Sequence, residues 1–293
     1  MKPYKYTPEQ EKNICKLYLD GKNATEVAKL FNASGYIIYK VLRRNGCELR
    51  NRSETHRTVK GNPFKDLTNS EVQYWLGFLA ADGNLVISKN RYSISLCSAE
   101  KDSKHMVKYS NFIGFGKKPE QNLIKGYQTY RHTVQFGNKE VHEFLSNLGI
   151  TPKKSKTLSL NIPLTWNIIR GIFDGDGCVY FNKIRLRVSI VTGSPKFLEQ
   201  LYTFFKKEGI HVTKRFTNIG IIDCCTQTEI NKFYEKMYKD ANIYLSRKKE
   251  IFEKGPLIRK LMSSYAANSV KSKSSYEDTT IPSKDAIPNC IYV

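Results

Sequence analysis

The sequence has no run near the ~18 apolar residues that a membrane-spanning helix requires. Its first residues, MKPYKYTPEQEK, lack the apolar core of a secretion signal. The expected setting is therefore intracellular and reducing: a bacterial or phage-infected cytoplasm, or an organelle matrix. Seven cysteines (15, 47, 97, 178, 224, 225 and 290) form no Cys-x-x-Cys pair, and the five histidines do not stand at metal-ligand spacing to them. Disulfide scaffolds and zinc modules are thus disfavoured, and the thiols read as packing groups. Acidic residues are scarce, 27 against 48 Lys and Arg, giving a net charge of +21. That excess points to a polyanionic partner, with nucleic acid as the first reading. An anionic membrane surface is the competitor, but no cationic amphipathic helix with a rich apolar face stands out. A merely solvated basic surface would also give the excess.

Hydrophobic residues make up 40% of the 293 and aromatics 12%, enough for one large or two modest cores. Residues 1–50 read as a small all-α unit. Pro8 opens a helix with Ile14, Leu17 and Tyr18 at helical spacing, and Asp20-Gly21 ends it. A second helix runs from Ala24 to Phe31. Ser34 caps a third, which turns Ile37, Ile38, Val41 and Leu42 inward and ends at Arg43-Arg44-Asn45-Gly46. The pattern resembles a helix-turn-helix DNA-binding unit. Its outward face would carry Tyr36, Tyr39, Lys40 and Arg43 toward bases or phosphates. A three-helix bundle with another partner is the alternative. Residues 1–65 hold 14 Lys and Arg against 6 Asp and Glu, which favours DNA. Residues 51–66 read as a basic linker, and 263–293, rich in Ser and Lys with two late prolines, as a disordered tail.

Between these lies a repeat. EVQYWLGFLAADGNLVIS (71–88) and WNIIRGIFDGDGCVYF (166–181) share a Gly-Asp-Gly skeleton: Gly77, Asp82, Gly83 and, 94 residues later, Gly171, Asp176, Gly177. Alternating stretches follow at 91–98 and 185–192, with Ser98 and Thr192 each 16 residues past their Asp. Helical segments come next near 101–113 and 195–208, then strands at 129–137 and 219–227, then helices near 139–148 and 229–240. The copies close on basic clusters at 153–156 and 247–249. The expected fold is α+β and duplicated, with repeats at 67–162 and 163–262.

Gly77 and Ala81, like Gly171 and Gly175, stand four apart and share one helix face. Gly within a helix costs about 0.5–1 kcal/mol relative to Ala, so close packing of the two motif helices is the reading that explains it. Asp82 and Asp176 then fall at the helices' C-terminal ends, where the dipole disfavours a carboxylate. A cation between them would make the arrangement sensible, and carboxylates with water suit Mg²⁺. One Asp-Gly after an apolar run is ordinarily a turn; two with matched flanks are not explained that way.

WLGFLAADG (75–83) and IRGIFDGDG (169–177) resemble the two motifs of the LAGLIDADG homing endonucleases. The resemblance covers about 67–255 and implies two pseudo-symmetric halves with the motif helices between them. It implies that Asp82 and Asp176 bind divalent metal, Mg²⁺ or another such as Mn²⁺, and each serve one strand of double-stranded DNA. It further implies a basic saddle over the major groove and a chain that acts as a monomer. A basic residue near each centre belongs to the same pattern. The candidates are Lys156 and Lys248, 74 and 72 residues past their Asp, with Lys154 and Lys249 as neighbours that could take their places. Ordinary phosphate-contacting or solvated lysines are the competing reading. Glu100 and Ser194 stand at matching places as water-orienting candidates. The first motif departs at Ala80, where the second has Asp174. The expected activity is metal-dependent hydrolysis of both strands at a specific site. A non-cleaving transcription regulator is countered by the presence of both Asp82 and Asp176. An RNA maturase that assists intron splicing stays open. An intein domain is countered by the lack of a flanking splicing block.

Overall fold

The computed structural model describes residues 6–49, 57–89, 91–124, 126, 129–182 and 185–255. The expected tail at 263–293 and most of the expected linker lie outside them. The chain divides into two compact units between Arg57 and Thr58.

The first unit is three helices: α1 (Pro8–Leu19), α2 (Ala24–Leu30) and α3 (Gly35–Arg44). Thr7 and Asn23 each form a capping box, with Gln10 and Glu26, and Ser34 caps α3. Ile14, Tyr18, Val27, Ile38, Val41 and Leu42 form the core. Buried Glu11 ties α1 to the end of α3, pairing with Arg44 and accepting from Asn45 Nδ2 at 2.8 Å. Tyr36, Lys40 and Arg43 are exposed on α3, as expected of a free outward face. Tyr39 differs: it is half-buried and packs against the core.

The second unit contains the repeat. Its first copy is α4 (Ser70–Asp82), β1 (Asn84–Ser88), β2 (Arg91–Ala99), α5 (Ser103–Phe112), β3 (Glu120–Ile124), β4 (Thr129–Gly137) and α6 (Lys139–Asn147). Its second is α7 (Trp166–Asp176), β5 (Gly177–Asn182), β6 (Arg185–Thr192), α8 (Pro195–Lys207), β7 (Thr213–Phe216), β8 (Gly220–Cys224), α9 (Gln227–Tyr238) and the helical run 246–255, here α10. Each copy builds a four-stranded antiparallel sheet in the same order, β1-β2-β4-β3 and β5-β6-β8-β7. The register repeats as well: Asn84 faces Ser95, and Cys178 faces Ser189. Alternation puts Ile94, Leu96, Val134 and Phe136, and in the second copy Val188, Ile190 and Ile222, on the faces covered by helices. One core runs through both copies.

Two apolar residues of the expected linker, Val59 and Phe64, are buried in that core, and Asn138 Nδ2 donates to the carbonyls of Val59 (3.3 Å) and Gly61 (3.0 Å). The segment from Thr58 onward is thus part of the second unit. The edge strands β3 and β7 are almost fully exposed, so no apolar alternation marks them in the sequence.

Candidate active site

Helix α4 is apolar around most of its circumference and buried from Tyr74 to Ala80, as befits a helix enclosed on all sides. Its partner is α7. At one end Gln73 Oε1 accepts from Asn167 Nδ2 and from the Thr165 hydroxyl, both at 2.9 Å. In the middle a Cβ on Gly77 would collide with the Ile168 carbonyl, and one on Gly171 with the Tyr74 carbonyl and, at 2.6 Å, with Phe78 N. At the other end a Cβ on Gly175 would strike the Ala81 side chain and come within 3.2 Å of Asp82 Oδ2. The helices therefore run parallel with backbones in contact, and their C-termini end side by side. Each runs straight into a strand. Gly83 and Gly177 are extended there (φ −69° and −85°), not left-handed. Glycine is required because a Cβ would meet the carbonyl of Leu79 or Phe173 in the preceding turn.

Asp82 and Asp176 are the last residues of α4 and α7. Asp82 is exposed and Asp176 is half-buried. Burial pushes the Asp176 carboxyl up to about 6; the neighbouring Asp82 carboxylate adds to this, against the pull of Lys154 and Lys248. Asp82 is raised by burial too, opposed first by Lys248 and then by Lys154.

The two lysines occupy matching places. Lys248 Nζ donates to the carbonyls of Phe173 (2.5 Å), Asp174 (2.8 Å) and Gly177 (2.5 Å). Lys154 Nζ donates to those of Ala81 (3.1 Å) and Gly83 (2.5 Å). Each ammonium donates to carbonyls at and just beyond the negative end of its own motif helix. Part of the dipole conflict expected from sequence is met this way. Both lysines are buried, at 8% and 4% exposure. Burial pushes Lys248 down to about 8, with Asp174 and Asp82 opposing the fall. It lowers Lys154 likewise, with Asp176 and then Asp82 opposing. Each lysine is thus felt by the Asp of the other repeat.

Lys156 does not share this arrangement: it is exposed at the end of a 3-10 turn. The structural counterpart of Lys248 is Lys154, and the two lie an equal 72 residues past Asp82 and Asp176. Lys249 is half-buried beside Tyr244. Ser194 is not free to orient water, since its Oγ donates to the Leu158 carbonyl at 2.7 Å and caps α8. Glu100 is exposed at the start of a 3-10 turn.

Asp174 plays a role that sequence reasoning missed. It is 2% exposed, and its Oδ2 accepts from the Tyr74 hydroxyl (2.7 Å) and from Leu245 N (2.8 Å). The Tyr74 oxygen also meets His105 Nε2 at 2.7 Å. The single hydroxyl hydrogen goes to Asp174, so His105 supplies the hydrogen of that second bond. Burial pushes His105 down to about 4, which keeps the ring neutral.

No group of three or more His, Cys, Asp or Glu side chains converges among the described residues. The oxygen donors of Asp82 and Asp176 nevertheless fit a hard divalent cation that takes its other ligands from water and phosphate. No helix of the described residues is long and apolar enough to cross a membrane.

Comparison with known proteins bears on the second copy first. Residues 166–238, from the start of α7 to the end of α9, match the family model described as LAGLIDADG-like domain. The first repeat has the same strand order and the same glycine contacts, so the second unit is a duplicated α+β fold whose second copy matches that family model. Among solved structures, variants of the homing endonuclease I-DmoI align at 16% identity and TM-score 0.46, over 65% of this chain and 98% of theirs. The meganuclease I-SmaMI, bound to uncleavable DNA, aligns at 12% and 0.48, over 70% and 93%. I-WcaI, bound to its DNA recognition sequence, aligns at 16% and 0.47, over 61% and 84%. The ATP-dependent DNA helicase Hel308 of Methanocaldococcus jannaschii is 25% identical over 197 residues, 61% of this chain. The matched part is 14% of that protein's length.

Proposed function

We propose that this protein is a site-specific DNA endonuclease that hydrolyses both strands of duplex DNA and acts as a monomer. One observation carries the reading: two carboxylates end two glycine-faced helices side by side, each with a buried lysine at its shoulder. An Asp176 carboxyl pushed up by burial and by the adjoining Asp82, in a chain of net charge +21, suits a reaction on a phosphodiester better than a structural role. Asp82 and Asp176 would hold Mg²⁺ or Mn²⁺. Such an ion supplies an activated water and stabilises the leaving oxygen.

The chain's own groups do the rest. Lys154 and Lys248 fix the helix ends that present the carboxylates, and their charge favours the anionic phosphate at the moment its charge grows. Sheet faces turned away from the helices carry Arg131, Gln135, Arg187 and Arg215, suited to phosphates and base edges. The first unit adds Tyr36, Lys40 and Arg43, with half-buried Tyr39 beneath them, as a further DNA contact in the manner of a helix-turn-helix.

The test is cleavage of a randomised duplex pool with Mg²⁺, followed by sequencing of the cut ends. Recovery of one consensus with paired strand breaks is expected. Asp82→Asn and Asp176→Asn should each abolish the double-strand product, Lys154→Met should slow it at least tenfold, and Lys156→Met should leave it intact. Tight binding without any cut by the unaltered protein would refute the enzyme reading.

A further inference from the structure

Lys154 and Lys248 sit alike but are held differently. Lys248 belongs to the first turn of α10 (residues 246–255), and that turn and the residue before it are anchored at two points, one of them on the first repeat. Arg247 forks on Asp102: Nε reaches Oδ1 at 2.9 Å and Oδ2 at 3.1 Å, and Nη2 reaches Oδ2 at 2.9 Å. Asp102 is 9% exposed and occupies the N-cap position of α5. The second anchor is Leu245 N, held by Asp174, which is itself held by Tyr74 and, through it, by His105.

The other side repeats the plan with weaker chemistry. The N-cap of α8 is Ser194, and its hydroxyl holds the Leu158 carbonyl, four residues after Lys154. Each repeat therefore uses the residue that starts its first crossing helix to hold the other's lysine segment. One grip is a charged fork and the other a neutral hydroxyl. Ala80 stands where the second copy has Asp174, so the Lys154 segment has no counterpart of the Asp174–Leu245 bond.

We propose that Asp102 is a positioning residue that acts through Arg247: the fork holds Lys248 at its helix end, so the two centres are unequal and the DNA strands are cut at different rates. The consequence for the strands rests on the endonuclease reading above; the anchoring does not. A buried carboxylate that loses its partner is left uncompensated, so either half of the fork should be sensitive to removal.

Two measurements on the full chain test this, using Asp102→Asn, Arg247→Gln, Arg247→Lys and Ser194→Ala. The first is backbone hydrogen exchange read on peptides covering 245–249 and 154–158. Asp102→Asn and Arg247→Gln should speed exchange in the first peptide about tenfold and leave the second unchanged, while Ser194→Ala should do the converse. The second is strand-resolved, single-turnover cutting of a supercoiled plasmid bearing a site recovered from the randomised pool. Asp102→Asn should slow one strand by about tenfold to a hundredfold, so that nicked circles accumulate. Arg247→Lys keeps the charge but loses the fork and should recover part of that rate. Exchange that rises equally in both peptides, or not at all, overturns the anchoring. Equal slowing of both strands overturns the inequality. If the unaltered protein cuts nothing, the endonuclease reading fails by itself, and the exchange result still decides the anchoring.

Discussion

Asp176→Asn gives the sharpest view of what the paired helix ends cost. The Asp176 carboxyl is pushed from an ordinary 3.8 to about 6, by burial first and then by Asp82. At about 1.4 kcal/mol per unit, that is at most about 3 kcal/mol of strain against the ionised form. Partial exposure of the side chain reduces it to about 1–2 kcal/mol. The sign follows from linkage. The folded chain binds this proton more tightly than the unfolded one. The stabilising effect is complete below the unfolded value of 3.8 and is lost as pH rises through about 6. An amide mimics the protonated form. In metal-free buffer near pH 7.5 the variant should therefore melt about 2–6 °C above the unaltered protein, and near pH 4 the two should coincide. Millimolar Mg²⁺ should reverse the order at neutral pH, because a ligand that binds only the folded carboxylate pair raises its melting temperature by mass action. Scanning calorimetry over this pH range, with and without Mg²⁺, reads all three. A variant that melts lower without metal, or an unaltered protein indifferent to Mg²⁺, would refute the reasoning.

Gly171→Ala should cost more than about 3 kcal/mol, because the new methyl meets the Tyr74 carbonyl and Phe78 N of a packed neighbouring backbone. Denaturant unfolding measures this, and a loss under about 1 kcal/mol would mean that the helices can part without penalty. Ala80→Asp restores the letter of the second motif at a site 2% exposed. Ile168, 94 residues past Tyr74, supplies no hydroxyl for it, so a loss of about 2–4 kcal/mol is expected. Unchanged stability would show that the carboxylate finds a partner there.

Much of the second unit was legible because duplication writes each element twice. The strands at 91–98 and 185–192 and the helices that follow them appear at nearly the expected places. The glycine spacing foretold helices with touching backbones. The lysine pair was legible in principle: an equal offset of 72 picks Lys154, whereas the offset of 74 for Lys156 reflects only the density of lysines in that cluster. What could not be read is chemistry that the copies do not share. Tyr74 meets Asp174 across 100 residues and Arg247 meets Asp102 across 145, and neither contact has a twin that would betray it. Val59 and Phe64 escaped for another reason, since two apolar residues in a polar stretch set up no period.

The unshared contacts also determine which halves can pair. Two copies of the second half alone would set Asp174 against Ile168, leaving two buried carboxylates without a hydroxyl. Two copies of the first would leave the Tyr74 hydroxyl facing Ala80, and Asp102 without its arginine. Only the unlike pairing gives Asp174 its hydroxyl and Asp102 its arginine. The segment 157–165, between Lys156 and Trp166, keeps that unlike partner always at hand, at the millimolar effective concentration typical of a short tether. The halves have thereby become mutually dependent: each is complementary to its diverged sibling and mismatched with itself.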